Sequence, residues 1–242
     1  MANELEGLKI AIIATDGVEQ VELTEPRKAV EEAGAKTELI SLGDGEIQAM
    51  NGDIDKGDTF GVDKVIGDAD VDDYDGLILP GGVANPDNLR QSGEVITFLQ
   101  DFFETGKPVG AICHAPWTLV EADLVKGRTL TSYPSIRTDI RNAGGEVVDE
   151  EVVVDQGLVT SRNPDDIPAF NAKLIEEFAE AGTRSQRPAR PPARKGQEAA
   201  GRTAAPKIVG RTLGIERGIS PRSSRSMSSG ERSINSPVRR LG

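Results

Sequence analysis

Short, continuously apolar runs separated by segments of helical periodicity are the feature that most constrains the fold of this chain. Residues 9–14, 76–79 and 108–112 are runs of this kind, and residues 19–33 have the pattern of a helix that ends before Gly34. Strands buried on both faces favour a parallel sheet, whose crossover connections place helices on both faces. The sequence therefore predicts an α/β fold, a doubly wound and mostly parallel sheet with helices on both faces.

The remaining segments agree with this plan. Residues 43–75 are rich in glycine and aspartate, which predicts short edge strands and loops. Val95, Phe98, Leu99, Phe102 and Phe103 recur at helical spacing, which indicates a helix packed on the core. We also expect strands at 37–41, 129–132, 152–155 and 158–161, and helices at 115–122 and 168–181.

Charge and composition divide the 242 residues into two parts. Residues 183–242 hold 14 Lys and Arg but 3 Asp and Glu, with few large apolar side chains, and we predict a disordered basic tail there. Since the net charge of the whole chain is −12, residues 1–182 are strongly acidic. We expect one α/β domain over 1–182, with no specific nucleic-acid binding, because an acidic surface repels phosphates and the tail lacks interleaved aromatic residues.

The small number of cysteines and histidines excludes several kinds of site. One cysteine allows no internal disulfide, and one cysteine with one histidine cannot form a structural zinc site. No Walker or dinucleotide-binding motif occurs, and Asp53, Asp55 and Asp58 lack EF-hand spacing. No apolar run approaches the roughly 20 residues that span a bilayer, and no leader opens the chain. We therefore expect a cytoplasmic protein with no cofactor, no metal and no membrane partner.

The single cysteine and the single histidine, Cys113 and His114, are adjacent and follow the predicted strand 108–112. A sharp strand-to-helix turn exposes a nucleophile and directs backbone N–H groups at it, which stabilises a thiolate. Small neighbours, Ala111 and Ala115, suit such a turn. The glycine pair at 81–82 follows another predicted strand, so both segments meet at the carboxyl edge of the sheet. The alternatives are a buried inert thiol, a structural histidine and an ordinary glycine turn.

Several separated segments make residues 8–180 resemble the PfpI intracellular protease family, within the superfamily that shares the class I glutamine amidotransferase fold, which is flavodoxin-like. Their order and spacing along the chain agree as well as their composition. The segments are Glu19-Gln20-Val21-Glu22-Leu23, Leu79-Pro80-Gly81-Gly82, Ala111-Ile112-Cys113-His114-Ala115-Pro116, Thr131-Ser132-Tyr133-Pro134 and Asp165-Asp166-Ile167-Pro168-Ala169-Phe170.

The resemblance implies roles for two acidic residues. Glu19 matches a glutamate that is buried beside the cysteine, protonated and hydrogen-bonded to its sulfur, whereas Glu22 is expected to be structural. Asp87 matches an acidic residue, more often glutamate, that orients the histidine of a neighbouring subunit. The alternatives are that Glu19 simply begins the helix and that Asp87 is an N-cap, because both positions suit a negative charge.

The resemblance also implies an activity. Gly82 and His114 would supply the backbone N–H groups of an oxyanion hole, Cys113 would attack, and His114 would move protons. The expected substrates are peptide bonds, or glyoxal and methylglyoxal adducts of proteins and nucleotides, in a stress-related hydrolase that forms dimers or hexamers. The alternative is a non-catalytic stress protein in which Cys113 is a redox sensor, with chaperone-like binding. Glutamine amidotransferase activity is not expected, since no histidine follows His114.

Overall fold

The computed structural model describes residues 3–185, and the predicted tail lies outside them apart from the first residues after 182. The elements are β1 (Lys9–Ile13), β2 (Val18–Glu19), α1 (Gln20–Glu32), β3 (Lys36–Ser41), β4 (Glu46–Asn51), β5 (Asp55–Gly61), β6 (Lys64–Val65), β7 (Gly76–Leu79), α2 (Ala84–Leu89), α3 (Gly93–Glu104), β8 (Val109–Ile112), α4 (Pro116–Glu121), β9 (Thr129–Leu130), α5 (Arg137–Asn142), β10 (Glu146–Val147), β11 (Val152–Asp155), β12 (Leu158–Ser161) and α6 (Ile167–Ser185).

A seven-stranded sheet with the order β11-β12-β8-β7-β1-β3-β6 forms the centre of the described region. All its pairs are parallel except β11 with β12, which form a hairpin at one edge. The turn of this hairpin contains Gln156 and Gly157, both with positive φ, as a tight hairpin requires. The predicted α/β fold with a mostly parallel sheet is confirmed.

Side chains of the central strands enter two hydrophobic cores, one on each face of the sheet. In β1, Ala11 and Ile13 pack into the core beneath α3, α4 and α5, whereas Ile10 and Ile12 pack against α1 and α6. This division follows from the two-residue period of a strand. The continuous apolar runs of the sequence are therefore strands covered on both faces, as the prediction of flanking helices requires.

A second sheet, in the order β2-β4-β5, is built from the predicted edge-strand region. The strand β2 pairs with β4 in parallel, and β4 pairs with β5 in a hairpin whose turn contains Gly52 and Asp53. Because β2 leads directly into α1, this sheet lies beside the carboxyl end of β1. The hairpin turn is thereby placed near the end of β7, where the glycine pair lies.

Several elements of the described region differ from the predicted ones. The strand β9 ends at Leu130 rather than at residue 132, and the two-residue strand β10 was not predicted. The helix α5 was not predicted, because its six residues bury one side chain, Ile140, and show no apolar period. The helix α6 ends at Ser185 rather than at residue 181, and it begins one residue earlier than predicted. Within residues 3–185 no helix is both long enough and apolar enough to span a membrane.

Candidate active site

Cys113 lies at the sharp turn between β8 and α4, with a φ of 63°. This left-handed conformation is costly for a residue with a side chain, and such strain is concentrated at functional sites. The backbone of Cys113 is fixed on two sides, since its N–H donates to Ser161 O at 3.0 Å and its carbonyl accepts from Tyr133 N at 2.9 Å. The predicted strand-to-helix turn is therefore present, and the side chain is 4% exposed.

The imidazole of His114 does fold back onto the sulfur. Its Nδ1 lies 3.2 Å from Cys113 Sγ, and its Nε2 lies 2.9 Å from Ser135 Oγ. The ring also stacks on Tyr133, with 4.4 Å between the ring centres. Burial lowers the pKa of His114 below its usual value, although the nearby carboxylate of Asp53 opposes this. At neutral pH the ring is a neutral base held against the thiol.

The carboxyl group beside the thiol belongs to Glu22, which corrects the expectation for Glu19. The side chain of Glu22 is fully buried, and its Oε2 accepts the Gly81 N–H at 2.9 Å. A Cβ built on Gly81 would lie 2.7 Å from Glu22 Oε2 and 2.8 Å from Cys113 Cβ. Burial raises the pKa of Glu22 to about 8, while its interactions with Cys113 and Gly81 lower it less. The neutral acid therefore predominates at neutral pH.

Glu19 is buried, but its carboxylate binds the turn of the β4–β5 hairpin and not the sulfur. Its carboxylate accepts the N–H groups of Gly52 at 3.1 Å and Asp53 at 3.2 Å. Because α1 begins at Gln20, Glu19 precedes the helix, whereas Glu22 lies in its first turn and faces the end of the sheet. Glu19 is at the N-cap position, so the alternative that it begins the helix is confirmed, although its side chain makes no capping hydrogen bond.

Gly82 brings a backbone N–H to the sulfur. The backbone N–H groups of Gly82 and His114 lie near enough to the thiol of Cys113 to lower its pKa. Gly82 has a φ of 81°, and a Cβ there would lie 2.5 Å from Gly17 O, so no other residue fits without strain. Buried Asn85 holds this turn, because its Nδ2 donates to Pro80 O and Gly81 O at 2.9 and 3.1 Å.

Burial is the largest influence on the pKa of the Cys113 thiol. It raises the pKa of Cys113, and the negative charge of ionised Glu22 acts in the same direction, while the N–H groups of Gly82 and His114 oppose it. The sequence predicted a thiolate stabilised by the turn together with the adjacent imidazole, whereas burial raises the pKa of the thiol because desolvation outweighs the two N–H groups. A thiol of this kind needs a base at hand, and His114 Nδ1 is in contact with it.

The family model described as the DJ-1/PfpI family matches residues 8–177. The chain belongs to the DJ-1/PfpI family. The resemblance found in the sequence is thereby confirmed over nearly the whole described region.

Curated members of the DJ-1/PfpI family align with this chain over most of their length. "Putative cysteine protease YraA" of Bacillus subtilis is 46% identical over 168 residues, which is 69% of this chain and 96% of that protein. "General stress protein 18" of the same organism is 46% identical over 171 residues, covering 70% and 96%. "Protein/nucleic acid deglycase 2" of Escherichia coli is 42% identical over 169 residues, covering 69% and 95%.

Solved structures of the family share the fold. Drosophila melanogaster DJ-1beta matches with a TM-score of 0.64 at 26% identity, over 76% of this chain and 98% of that one. A two-domain protein from Anabaena variabilis, with DJ-1/ThiJ/PfpI-like and ferritin-like domains, matches with a TM-score of 0.67 at 30% identity. This chain covers 49% of that longer protein and 73% of its own length is aligned. The sheet and helices described above are thus the DJ-1/PfpI arrangement.

Asp87, the acidic residue expected beside the histidine of another subunit, is exposed in the first turn of α2. Within residues 3–185 its carboxylate makes no hydrogen bond or ion pair, and its carbonyl accepts from Gln91 Nε2 at 2.7 Å. Because α2 begins at Ala84 after Val83, Asp87 lies inside the helix and the N-cap alternative is wrong. The proposed contact with a second copy stays a prediction.

Sequence reasoning missed three residues of the site. Ser135 holds His114 Nε2, Tyr133 stacks on its ring, and the Asp53 carboxylate lies near enough to raise its pKa. Tyr133 belongs to a segment that supported the family resemblance, so its position carried a signal. Ser135 and Asp53 are common surface residue types with no such signal. No group of three or more metal-ligating side chains is found in the described part of the chain.

Proposed function

We propose that this DJ-1/PfpI protein is a cysteine-dependent hydrolase in which Cys113 is the nucleophile. The observation that carries the proposal is the geometry at the sulfur: a residue with a φ of 63° and a histidine nitrogen 3.2 Å from Sγ, beside two backbone N–H groups that lower the pKa of the thiol. A nucleophile with an adjacent base and preorganised N–H donors is the arrangement that acyl-transfer chemistry requires.

Each group has a distinct role in the proposed reaction. In peptide hydrolysis His114 takes the thiol proton as Cys113 attacks the carbonyl carbon, and it returns the proton to the leaving amine, which leaves a thioester on the sulfur. With a methylglyoxal hemiaminal the thiol replaces the amine at the former aldehyde carbon, and the protons on that carbon and its hydroxyl then pass to the neighbouring ketone carbon and oxygen, which converts the hemithioacetal into the thioester. The N–H groups of Gly82 and His114 stabilise the oxyanion that forms on the former carbonyl oxygen. Glu22, with its pKa raised to about 8, remains neutral at neutral pH and adds no charge that would oppose the thiolate. Water then releases the product from the enzyme sulfur.

The burial of the thiol favours small substrates. Since Cys113 and His114 are each 4% exposed, a two- or three-carbon carbonyl adduct at the end of a side chain reaches the sulfur more readily than a carbonyl within an extended peptide. We therefore place glyoxal and methylglyoxal adducts of amines first, which agrees with a relative named as a protein/nucleic acid deglycase. Peptide-bond hydrolysis is the second candidate, and the name of the YraA relative supports it.

The proposal extends to the assembly. The exposed position of Asp87 supports its role as the acidic partner of His114 in a second copy of this chain, in a dimer or hexamer. A cytoplasmic location also stays a prediction, and the free thiol of Cys113 supports it because reducing compartments preserve thiols.

A turnover assay of wild type against Cys113→Ser tests the proposal. Methylglyoxal hemithioacetals and methylglyoxal-treated amines are supplied in one series, and fluorogenic peptides in the other, with product quantified directly. We expect Cys113→Ser to lose at least about a thousandfold in kcat/KM, as nucleophile removal does in hydrolases. Exposed Glu25→Gln is the matched control and retains activity.

Two outcomes would contradict the hydrolase proposal. Equal turnover by wild type and Cys113→Ser would exclude the cysteine as nucleophile. Absence of turnover on both substrate series, together with stoichiometric sulfenic or sulfinic acid at Cys113 after peroxide, would instead support the redox-sensor alternative. The relatives named for enzyme activities favour the hydrolase over that alternative.

A further inference from the structure

The turn of the β4–β5 hairpin places a strained acidic residue beside residues 80–83, the loop after β7 that carries the Gly82 N–H. Asp53 has a φ of 62° although its side chain is exposed and no core contact fixes it there. Aspartate tolerates this left-handed conformation better than most residues, yet it still requires support from its surroundings. The support comes from contacts on both sides of Asp53.

Two carboxylates connect the hairpin turn to the loop. On one side, Glu19 accepts the backbone N–H groups of Gly52 at 3.1 Å and Asp53 at 3.2 Å. On the other side, Asp53 Oδ1 accepts the N–H of Val83 at 2.7 Å. Glu19 is itself tied to the same loop, since its N–H donates to Gly81 O at 3.4 Å.

The peptide that Asp53 holds is adjacent to the N–H that contacts the sulfur. The Val83 N–H belongs to the peptide group that follows Gly82. Because this N–H donates to Asp53 Oδ1, the hydrogen bond fixes the orientation of the Gly82–Val83 peptide. Glycine has no side chain to restrict its backbone, and its orientation therefore depends on contacts of this kind. The Gly82 N–H lies on the other side and lowers the pKa of the Cys113 thiol, and a Cβ built on the preceding Gly81 would lie 2.8 Å from Cys113 Cβ, so this loop packs directly against the cysteine.

We infer that Asp53 is a positioning residue that holds the Gly82 N–H against the Cys113 sulfur, with Glu19 fixing Asp53 from behind. Nothing in the sequence resemblance assigned a role to Asp53, and the inference gives Glu19 a role different from the expected contact with sulfur. For its catalytic consequence the inference rests on the proposed hydrolase function. The effect of Asp53 on the reactivity of the Cys113 thiol does not depend on that function and is tested separately.

The charge of Asp53 has a second effect on the site. Within residues 3–185 the His114 ring contacts Cys113, Tyr133 and the hydroxyl of Ser135, and Asp53 is the charged group near enough to act on its pKa. The negative charge of Asp53 raises the pKa of His114 against the effect of burial. A substitution that keeps the hydrogen bond but removes the charge separates these two contributions.

Three substitutions at Asp53 and one control make the experiment specific. Asp53→Ala removes the acceptor and the charge, whereas Asp53→Asn keeps an oxygen acceptor and suits positive φ but removes the charge. Asp53→Gly removes the acceptor and relieves the backbone strain. Asp55→Asn is the control, because Asp55 lies in the same hairpin, is exposed, and makes no side-chain hydrogen bond or ion pair among the described residues. The rate of Cys113 alkylation by iodoacetamide is measured from pH 6 to 10 in the full chain.

We expect Asp53→Ala and Asp53→Gly to move the alkylation profile upward by about one pH unit, and to slow labelling about tenfold on its rising limb, because the thiolate loses a correctly placed N–H donor. Asp53→Asn and Asp55→Asn stay within about twofold of wild type in labelling. Asp53→Asn also lowers the pH of the acidic limb of turnover, since His114 loses a neighbouring negative charge. Asp53→Gly unfolds at no lower temperature than Asp53→Ala, so the slow labelling does not follow from instability.

Alkylation profiles of Asp53→Ala and Asp53→Gly that coincide with wild type and Asp55→Asn would overturn the inference. The same is true if Asp53→Asn is as slow as Asp53→Ala, because the charge and not the hydrogen bond would then be responsible. Failure of the hydrolase proposal has a different signature. Wild-type protein would alkylate at Cys113 without turning over either substrate series, and the comparison among the Asp53 variants would remain decisive.

Discussion

The buried carboxyl of Glu22 predicts that the stability of this protein falls as the pH rises. The perturbation is Glu22→Gln. Glutamine keeps an oxygen that can accept the Gly81 N–H, and its NH₂ group replaces the OH of the neutral acid as a donor. Burial raises the pKa of Glu22 from 4.5 to about 8 in the native state. Glutamine cannot ionise, so the variant lacks the pH dependence that comes from this site.

The sign follows from proton binding. Below about pH 4.5 both native and unfolded states hold the Glu22 proton, and above about pH 8 neither does. Between these values only the native state holds it, so the free energy of unfolding decreases with rising pH. Each pH unit contributes about 1.4 kcal/mol, and the whole interval amounts to about 5 kcal/mol for this fully buried group.

Urea unfolding, followed by the fluorescence of Trp117, checks this prediction between about pH 5 and pH 8 at constant ionic strength. We expect Glu22→Gln to gain stability relative to wild type with each pH unit, by about 4 kcal/mol in all between pH 5 and pH 8. Glu25→Gln, at an exposed position of the same helix, is the control, and its difference from wild type stays constant. A constant difference for Glu22→Gln would refute the reasoning, because the native carboxyl would then be ionised throughout.

Three further outcomes are expected. Ser135→Ala removes the partner of His114 Nε2 and lowers kcat/KM on methylglyoxal hemithioacetal about tenfold, with a loss of about 1 kcal/mol in urea unfolding; unchanged turnover would show that Ser135 does not orient the ring. Gly82→Ala places a Cβ 2.5 Å from Gly17 O at a φ of 81°, and urea melts should show a loss of at least about 2 kcal/mol. Since burial lowers the pKa of His114 from 6.5, the acidic limb of the rate profile lies below that pH, and a limb above it would contradict a neutral base.

The sequence was sufficient for most strands because their signals are local, although β9 is shorter than predicted and the two-residue β10 was missed. The strands Gly76–Leu79, Val152–Asp155 and Leu158–Ser161 have the predicted bounds, since Pro80 ends the first and the turn at Gln156 and Gly157 separates the others. The short helix α5 carries no comparable pattern and was missed. The local sequence predicts an element well where an apolar run is bounded by turn residues. It fails for a helix such as α5, because six residues with one buried side chain show no apolar period.

Within the site, the sequence by itself determined where the chemistry lies. Continuous apolar strands must be covered on both faces, and the carboxyl ends of parallel strands lie at one edge, so Gly82 and Cys113 had to meet there. The sequence also implied the adjacent histidine, but not which atoms orient its ring, because Ser135 reaches it from a segment remote in the chain.

Only the tertiary structure decided which glutamate meets the sulfur and what state the thiol adopts. Glu19 and Glu22 are three residues apart, so both lie on the side of the chain that faces the site, and helix periodicity cannot separate them. The packing of the hairpin separates them, because the N–H groups of Gly52 and Asp53 take the carboxylate of Glu19 and leave Glu22 beside Cys113. The pKa of a buried group depends on the solvent and charges that the whole fold removes or brings near, and no local pattern records that environment.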